Sequence, residues 1–219
     1  MDRIEYSDVV DKSGWPAGPW HREPDKIQWQ DEATGLPCLI VRGPVGSLCG
    51  YVGVPSGHPL HGKDASTCMR QPACEESWCD HRPDSVLSVH GGVTFSDSCY
   101  ETSREKWDGF RIRMLAKRDE AKRYPVGDAA RALKEWAACL DDYDAFTLRA
   151  QARFVCHIPG KNEPDDVWWF GFDCSHAGDL SPEMGSLGLG RFGRDEVYRD
   201  IAYVTAQCAS LAEKLKRMV

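Results

Sequence analysis

The sequence predicts an α+β fold in which one or two helices cover a mainly antiparallel sheet. Short β-rich segments separated by Gly- and Pro-containing turns fill much of the first half of the chain and return near residue 170. Two other segments carry apolar residues at helical spacing, and one of them closes the chain. The resulting order of strands, helix, strands and helix favours α+β architecture over an alternating α/β fold.

The first 35 residues are expected to form an irregular arm. Pro16, Pro24 and several glycines interrupt any regular pattern, and Trp15, Trp20 and Trp29 are large enough to fix the arm to the body of the protein. The 219 residues suffice to bury one substantial core, so we expect a single domain over 1–219.

Four segments are predicted to be strands. Residues 36–55 contain two β-rich runs separated by a Gly-Pro turn, which is typical of a hairpin. Residues 86–96 indicate a strand interrupted by two glycines, and 145–158 alternate like a half-exposed strand. Residues 165–174 are apolar at successive positions, which favours a central strand buried on both faces.

Two segments are predicted to be helical, 125–144 and the C-terminal segment from Asp195 onward. The second predicts about six turns with one apolar stripe. This stripe comprises Val197, Ile201, Val204, Cys208, Leu211, Leu215 and Met218. The stripe fits either a helix packed on the core or the seam of a homodimer.

Composition excludes some classes of protein. Asp and Glu (34) outnumber Lys and Arg (27), which argues against a protein that binds extended nucleic acid. No apolar run approaches the roughly 18 to 20 residues that span a membrane, and the charged N-terminus does not resemble a signal peptide. We therefore expect a cytoplasmic protein whose ten cysteines are mostly reduced.

Three β-rich segments are followed by glycines and histidines. The first leads to His58, the second contains His90, and the third continues into Asp173, His176 and Asp179. If the strands are neighbours, these five side chains could converge at one end of the sheet. Imidazole and carboxylate groups could then bind a divalent metal such as zinc or manganese, or move protons. The alternative is that the carboxylates hydrogen-bond loop amides and His176 fills a core position.

A Cys-rich segment, 64–84, forms a second candidate metal site. Cys68, Cys74, Cys79 and His81 supply four soft ligands within fourteen residues, so they could fold around a structural zinc. Their spacing is not that of paired CxxC motifs, and a plain loop with exposed thiols is the alternative.

The motifs CGYVGVPSGHPLHGK (49–63), VHGGVTFS (89–96) and WWFGFDCSHAGD (168–179) precede YRDIAYVTAQCASLAEKL (198–215). Together they resemble a family of uncharacterised proteins encoded by bacteriophages and bacterial genomes. Relative to that family, the Cys-rich segment is an insertion. The resemblance implies phage origin and action in the host bacterial cytosol. By analogy with other small phage proteins, it implies defence against bacterial immunity through a nucleotide messenger.

Two functions of different classes follow. In a phosphodiesterase-like hydrolase, His90, Asp173, His176 and Asp179 would bind metal or activate water, and His58 would protonate the leaving group. In a non-catalytic sponge, the glycine turns would bind phosphates and an aromatic side chain would stack on the base. The candidate ligand-binding residues are Tyr51, Lys63, Thr94 and Trp168, with Arg42 as a further phosphate ligand. A protein-binding inhibitor would leave the His and Asp cluster unexplained.

Overall fold

The computed structural model describes residues 3–43, 45–70, 79–98, 104–123, 133, 136–153, 155–157, 166–186 and 195–218. Six strands form one antiparallel sheet in the order β1-β2-β3-β4-β6-β5. They are β1 Ile4–Tyr6, β2 Lys26–Gln30, β3 Pro37–Arg42, β4 Leu48–Pro55, β5 Phe95–Ser98 and β6 Val167–Asp173. The predicted α+β class is confirmed.

The described helices fall after the first four strands and around β6. They are α1 Pro83–Val86, α2 Arg104–Ala121, α3 Tyr143–Arg153, α4 Pro182–Ser186 and α5 Ile201–Lys216, and one 3-10 turn covers Pro19–His21. Half of the predicted helix over 125–144 lies outside the described residues. In the other half, 133, 136 and 137 are helical, but 138–142 are not, and Tyr143 already begins α3. Helix α2 has no counterpart among the sequence predictions.

The hairpin prediction and the central-strand prediction are both confirmed. Strands β3 and β4 pair antiparallel, with Leu39 opposite Tyr51. Strand β6 lies between β4 and β5, and its adjacent residues Trp169 and Phe170 are both fully buried although they point to opposite faces of the sheet. A strand with apolar neighbours on both faces explains the continuous apolar run in the sequence.

The C-terminal helix is shorter than predicted. Asp200 caps it by accepting a hydrogen bond from the backbone nitrogen of Tyr203, so the helix begins at Ile201 instead of Asp195. Four residues of the predicted stripe, Val204, Cys208, Leu211 and Leu215, are completely buried against the sheet. Ile201 and Met218 are partly buried, and Val197 is 51% exposed. These four residues therefore belong to the core, and the homodimer through this helix stays a prediction.

Three other sequence predictions were wrong in part. Residues 143–153 form α3 and not a strand, because buried Phe146 and Ala150 are four residues apart and share one helix face. The 1–35 arm is not irregular throughout, since β1 and β2 belong to the sheet. Within 86–96, only Phe95 and Ser96 are part of a strand.

The buried side chains form three clusters. The largest lies between one face of the sheet and α5, and includes Phe170, Phe172 and Leu211. A second covers the opposite face around Trp169 and Leu39. A third joins α2, α3 and the segment between them, and includes Trp107, Trp136, Leu140 and Phe146.

Most of the described cysteines are free thiols, as the prediction of mostly reduced cysteines requires. Cys38, Cys49, Cys139 and Cys208 are buried thiols, whereas Cys156 is buried and disulfide-bonded. Among the described helices, none has the length and apolar character needed to cross a bilayer.

Candidate metal centre

The end of β6 places the first acidic group of the candidate site. Strand β6 ends at Asp173, opposite Cys49 of β4. The carboxylate of Asp173 then accepts hydrogen bonds from the backbone nitrogen and hydroxyl of Ser175, at 3.1 and 2.5 Å, which fixes the following turn. A backbone hydrogen bond from Asp179 to His176 closes that turn. His176 and Asp179 are thereby held beside the end of the sheet.

Asp179 is the buried centre of the site, with a side chain that is 1% exposed. Its Oδ2 lies 2.7 Å from Nε2 of His90 and accepts a 3.2 Å hydrogen bond from the backbone nitrogen of His176. Its Oδ1 accepts a 2.8 Å hydrogen bond from Nε of Arg199. A backbone bridge between Asp179 and Val197 brings the Arg199 segment alongside.

Helix α5 orients His90. The backbone nitrogen of His90 donates to Oε1 of Gln207 at 3.0 Å, and its Nδ1 lies 2.9 Å from the hydroxyl of Tyr203. Tyr203 and Gln207 are four residues apart, so they lie on the same helix face. With Asp179 at Nε2, both ring nitrogens have a partner, and a metal ion held by Nε2 and Asp179 would replace the proton that they share.

His176 packs directly on Gly91. The φ angle of Gly91 is +65°, and a Cβ there would lie 2.1 Å from Cε1 of His176, so the ring occupies space that only glycine leaves open. The His176 and His90 rings are edge-to-face with centroids 5.7 Å apart. Nδ1 of His176 lies 3.8 Å from both Asp173 Oδ1 and Asp179 Oδ2. This nitrogen is buried, and no hydrogen-bond partner for it exists among the described residues.

His90, His176 and Asp179 could together hold a metal ion. Each offers one ligand atom, and the three atoms lie within 4.8 Å of one another. Coordination bonds of roughly 2.0–2.2 Å would let one ion bridge separations up to about 4 Å, which includes the 3.8 Å gap between His176 and Asp179. Tyr203 and Arg199 contact the outer atoms of His90 and Asp179, as residues that orient metal ligands do.

The surroundings keep the carboxylates ionised. Burial alone would raise the pKa of Asp179, but hydrogen bonds from Arg199 and His90 outweigh it and hold that pKa below its ordinary value. Burial likewise opposes ionisation of Asp173, yet Ser175, His176 and Thr94 lower its pKa. The pKa of the neighbouring Cys174 thiol is raised to about 12, chiefly by burial, so Cys174 is no nucleophile at neutral pH.

His58 lies away from this cluster. Its Nδ1 accepts a hydrogen bond from the backbone nitrogen of Leu60, and its Nε2 donates to the carbonyl of Leu215. Leu215 is twelve residues beyond Tyr203 on α5, about 18 Å along the helix axis. Because β4 and β6 are antiparallel, the residues that follow β4 lie beside the start of β6, not its end. The structure therefore does not bring His58 to the other four predicted catalytic residues.

The predicted ligand-binding residues are also dispersed. Thr94 is at the site, where its hydroxyl donates to Oδ2 of Asp173 at 3.1 Å. Lys63 and Trp168 contact each other near the opposite end of β6. Tyr51 packs edge-to-face on Phe95 within the second cluster.

Arg42 is not available to hold a phosphate. Its Nε binds Asp25, its Nη1 donates to Gly46 and Tyr198, and its Nη2 donates to Glu23 and Pro24. All five N–H groups of this guanidinium, which is completely buried, are therefore engaged inside the protein.

The second predicted metal site is only partly described. Cys74 lies outside the described residues, and Cys68, Cys79 and His81 do not by themselves form a metal-binding group in the part of the chain that the structure describes. A backbone hydrogen bond from Met69 to His81 brings the two flanks of the segment together.

Sequence reasoning missed Arg199, Tyr203 and Gln207 as parts of the site. One signal was present: Arg199 immediately precedes the N-cap of α5, where a cation is unfavourable for the helix dipole and calls for a nearby carboxylate. Asp179 is that carboxylate.

Comparison of the chain with protein-family models, curated proteins and solved structures finds no match.

Proposed function

We propose that His90, His176 and Asp179 form a mononuclear metal centre of a hydrolase. The observation that carries the proposal is the position of His176 Nδ1. This buried nitrogen has no hydrogen-bond partner among the described residues, yet it lies 3.8 Å from the carboxylates of both Asp173 and Asp179. Buried polar atoms normally have partners, and a cation between imidazole and carboxylate would supply one.

Two imidazoles and a carboxylate are the ligand set of several catalytic metal sites, and we propose zinc or manganese as the ion. A divalent ion held there would polarise a phosphoryl oxygen and lower the pKa of bound water. His176 is the most exposed of the three ligands, with a side chain 37% exposed, so solvent and substrate would approach from its side.

Asp173 is better suited to orienting water than to acting as a general base. An efficient base at neutral pH needs a pKa near 7, whereas the pKa of Asp173 is below its ordinary value. Its Oδ1 nevertheless lies 3.8 Å from His176 Nδ1, where it can accept a hydrogen bond from water. The predicted proton donor, His58, is replaced in this proposal by solvent at the open side of the site.

We propose a small nucleotide phosphoester as the substrate, in the setting of a phage protein that counters a bacterial nucleotide signal in the host cytosol. The support for this setting is the resemblance of the CGYVGVPSGHPLHGK, VHGGVTFS and WWFGFDCSHAGD motifs. The His and Asp cluster, with His176 partly exposed, supports hydrolysis. A sponge that binds the nucleotide without cleaving it is the outcome that the experiment below distinguishes.

The first measurement is metal content. Protein incubated with Zn²⁺ or Mn²⁺ and then desalted should retain about one equivalent by elemental analysis. His176→Ala should lose that ion, whereas His21→Ala, which changes an exposed histidine outside the site, should keep it. Retention of one equivalent by His176→Ala would contradict the proposal.

The second measurement separates an enzyme from a sponge. The metal-loaded protein is incubated with cyclic and linear nucleotides, and ligand is recovered by heat denaturation and analysed by mass spectrometry. Cleaved nucleotide whose formation is lost in His176→Ala supports the hydrolase. Intact nucleotide recovered in stoichiometric amount would support the sponge instead of the hydrolase. If neither product nor bound ligand is found, the nucleotide substrate is rejected.

A further inference from the structure

Arg199 carries hydrogen-bond donors that no acceptor among the described residues uses. Its Nε is bound to Asp179, but its two Nη groups have no acceptor among the described residues. The side chain is 27% exposed, so these donors can reach solvent. Arg42 shows the contrast, since each of its five donors is engaged within the protein.

The guanidinium of Arg199 is also held in place. Its Cζ lies 4.8 Å from the ring centroid of Tyr203, whose hydroxyl contacts His90. The backbone on its two sides is fixed by the Val197–Asp179 bridge and by the Asp200 cap of α5. A guanidinium that is already oriented loses little entropy when it binds an anion.

The carboxylate of Asp179 lies between Arg199 and the candidate metal position. It binds Oδ1 of Asp179, while Oδ2 of the same carboxylate faces His90 and His176. An anion that contacts a metal there through one oxygen therefore has a second cationic partner beside it. The planar pair of Nη donors matches the oxygens of a phosphoryl group.

We infer that Arg199 is a substrate-binding residue that holds the phosphoryl group of the substrate next to the metal centre. This inference depends on the proposed metal centre and replaces Lys63 and Arg42 as the expected phosphate ligands. Lys63 lies near the opposite end of β6, and Arg42 is fully engaged in the buried network. With a net charge of −7, the chain would repel an anionic substrate in general, which makes a local cation beside the metal more important.

The test uses Co²⁺ as a spectroscopic substitute for the metal and inorganic phosphate as the probe. Cobalt-loaded protein is titrated with phosphate, and the dissociation constant is obtained from the change in the visible cobalt spectrum. Arg199→Gln should still bind cobalt, with its own phosphate-free spectrum as the reference, and should weaken phosphate binding by about tenfold or more, the range expected for losing charge-assisted hydrogen bonds. Arg199→Lys keeps the charge but loses the planar pair of Nη donors. Its phosphate affinity should lie between those of Arg199→Gln and the unchanged protein.

Arg217→Gln is the matched control, because Arg217 follows the far end of α5 and pairs only with the exposed Glu213 among the described residues. Its phosphate affinity should equal that of the unchanged protein. Titration with acetate replaces the tetrahedral phosphate by a planar monoanion and should give weaker binding with less dependence on Arg199.

Each outcome of the cobalt and phosphate titrations supports or overturns the role of Arg199. A protein that binds no cobalt removes the metal centre and this inference with it. Cobalt binding with equal phosphate affinity in Arg199→Gln overturns the inference alone and leaves the metal centre in place. Loss of cobalt in both Arg199 variants would mean that Arg199 only positions Asp179, which also overturns its role in binding phosphate.

Discussion

Individual histidines in this chain have separable roles, although the sequence presents them alike. His58 joins the backbone of Leu60 to that of Leu215 inside the protein, whereas His176 is more exposed and leaves one ring nitrogen without a partner among the described residues. His58→Ala should therefore lower the free energy of unfolding by about 1–3 kcal/mol for each backbone group left unpaired. It should leave metal content unchanged, as measured by denaturant unfolding and elemental analysis. His176→Ala should lower the metal content and leave the free energy of unfolding nearly unchanged. An equal loss of stability in both variants would assign His176 a structural role.

Lys26 gives the fold a specific dependence on pH. Burial lowers its pKa from 10.5 to about 7. Between these two values the unfolded chain binds more protons at this site than the folded chain, so this residue makes stability rise with pH. Well below pH 7, Lys26 is protonated in both the folded and the unfolded chain, and its burial as a charged group then lowers the stability of the fold by the full amount.

The prediction concerns the difference in free energy of unfolding between the unchanged protein and Lys26→Met. From pH 7 to pH 9 the free energy of unfolding of the unchanged protein should rise relative to Lys26→Met, by at most about 1.4 kcal/mol per pH unit. Lys216→Met removes a surface charge and should show no such divergence. Parallel pH profiles for the unchanged protein and Lys26→Met would show that Lys26 keeps an ordinary pKa.

At the scale of elements, antiparallel pairing explains which polar residues meet. The residues before β5 lie beside the end of β6, so His90 approaches His176 and Asp179. The residues after β4 lie at the other end of β6, and His58 is therefore excluded. The sequence predicted β3, β4, β6 and the polar ends, but it could not predict this arrangement because strand direction and order depend on pairing between distant segments.

The same limit applies to α3 and α5. Alternating small apolar residues around Ala150 fit either a strand or a helix, and packing of Phe146 against other helices decided the outcome. The apolar stripe of α5 was predictable because its spacing persists over four turns. Its first residue was not, because the Asp200 cap overrides the apolar pattern at Val197, which is bridged to Asp179 instead.

The turn before β5 provides a test of how an element positions the site. Gly91 and Gly92 both have positive φ, but a Cβ would strike His176 only at Gly91, whereas Gly92 has open space around it. Gly92→Ala should cost about 1–2 kcal/mol of backbone strain and keep metal binding. Gly91→Ala should cost at least as much and also displace His176, which would weaken metal affinity by tenfold or more in a competition assay with a chromophoric chelator. Equal metal affinities in the two variants would show that His176 is not a ligand.

At the scale of the whole molecule, the buried clusters differ in what they hold together. The largest joins the sheet to α5, and α5 contacts His90 near its start and His58 at its end. The cluster around Phe146 joins α2, α3 and the segment between them, and its buried residues are separate from those of the largest cluster. Local opening can therefore occur in the helical cluster while the sheet remains folded.

Hydrogen exchange on two matched variants tests this division. Phe146 and Phe170 are both completely buried, and replacing either with Ala should remove about 3–5 kcal/mol of packing free energy. Phe146→Ala should speed exchange in α2 and α3 and leave the amides of β4 and β6 protected. Phe170→Ala lies between the sheet and α5, so it should speed exchange across the whole sheet and weaken the metal site through α5. If Phe146→Ala lowered protection in β4 and β6 by the same factor as in α3, the two clusters would unfold as one unit, because a shared opening reaction gives every amide the same loss of free energy.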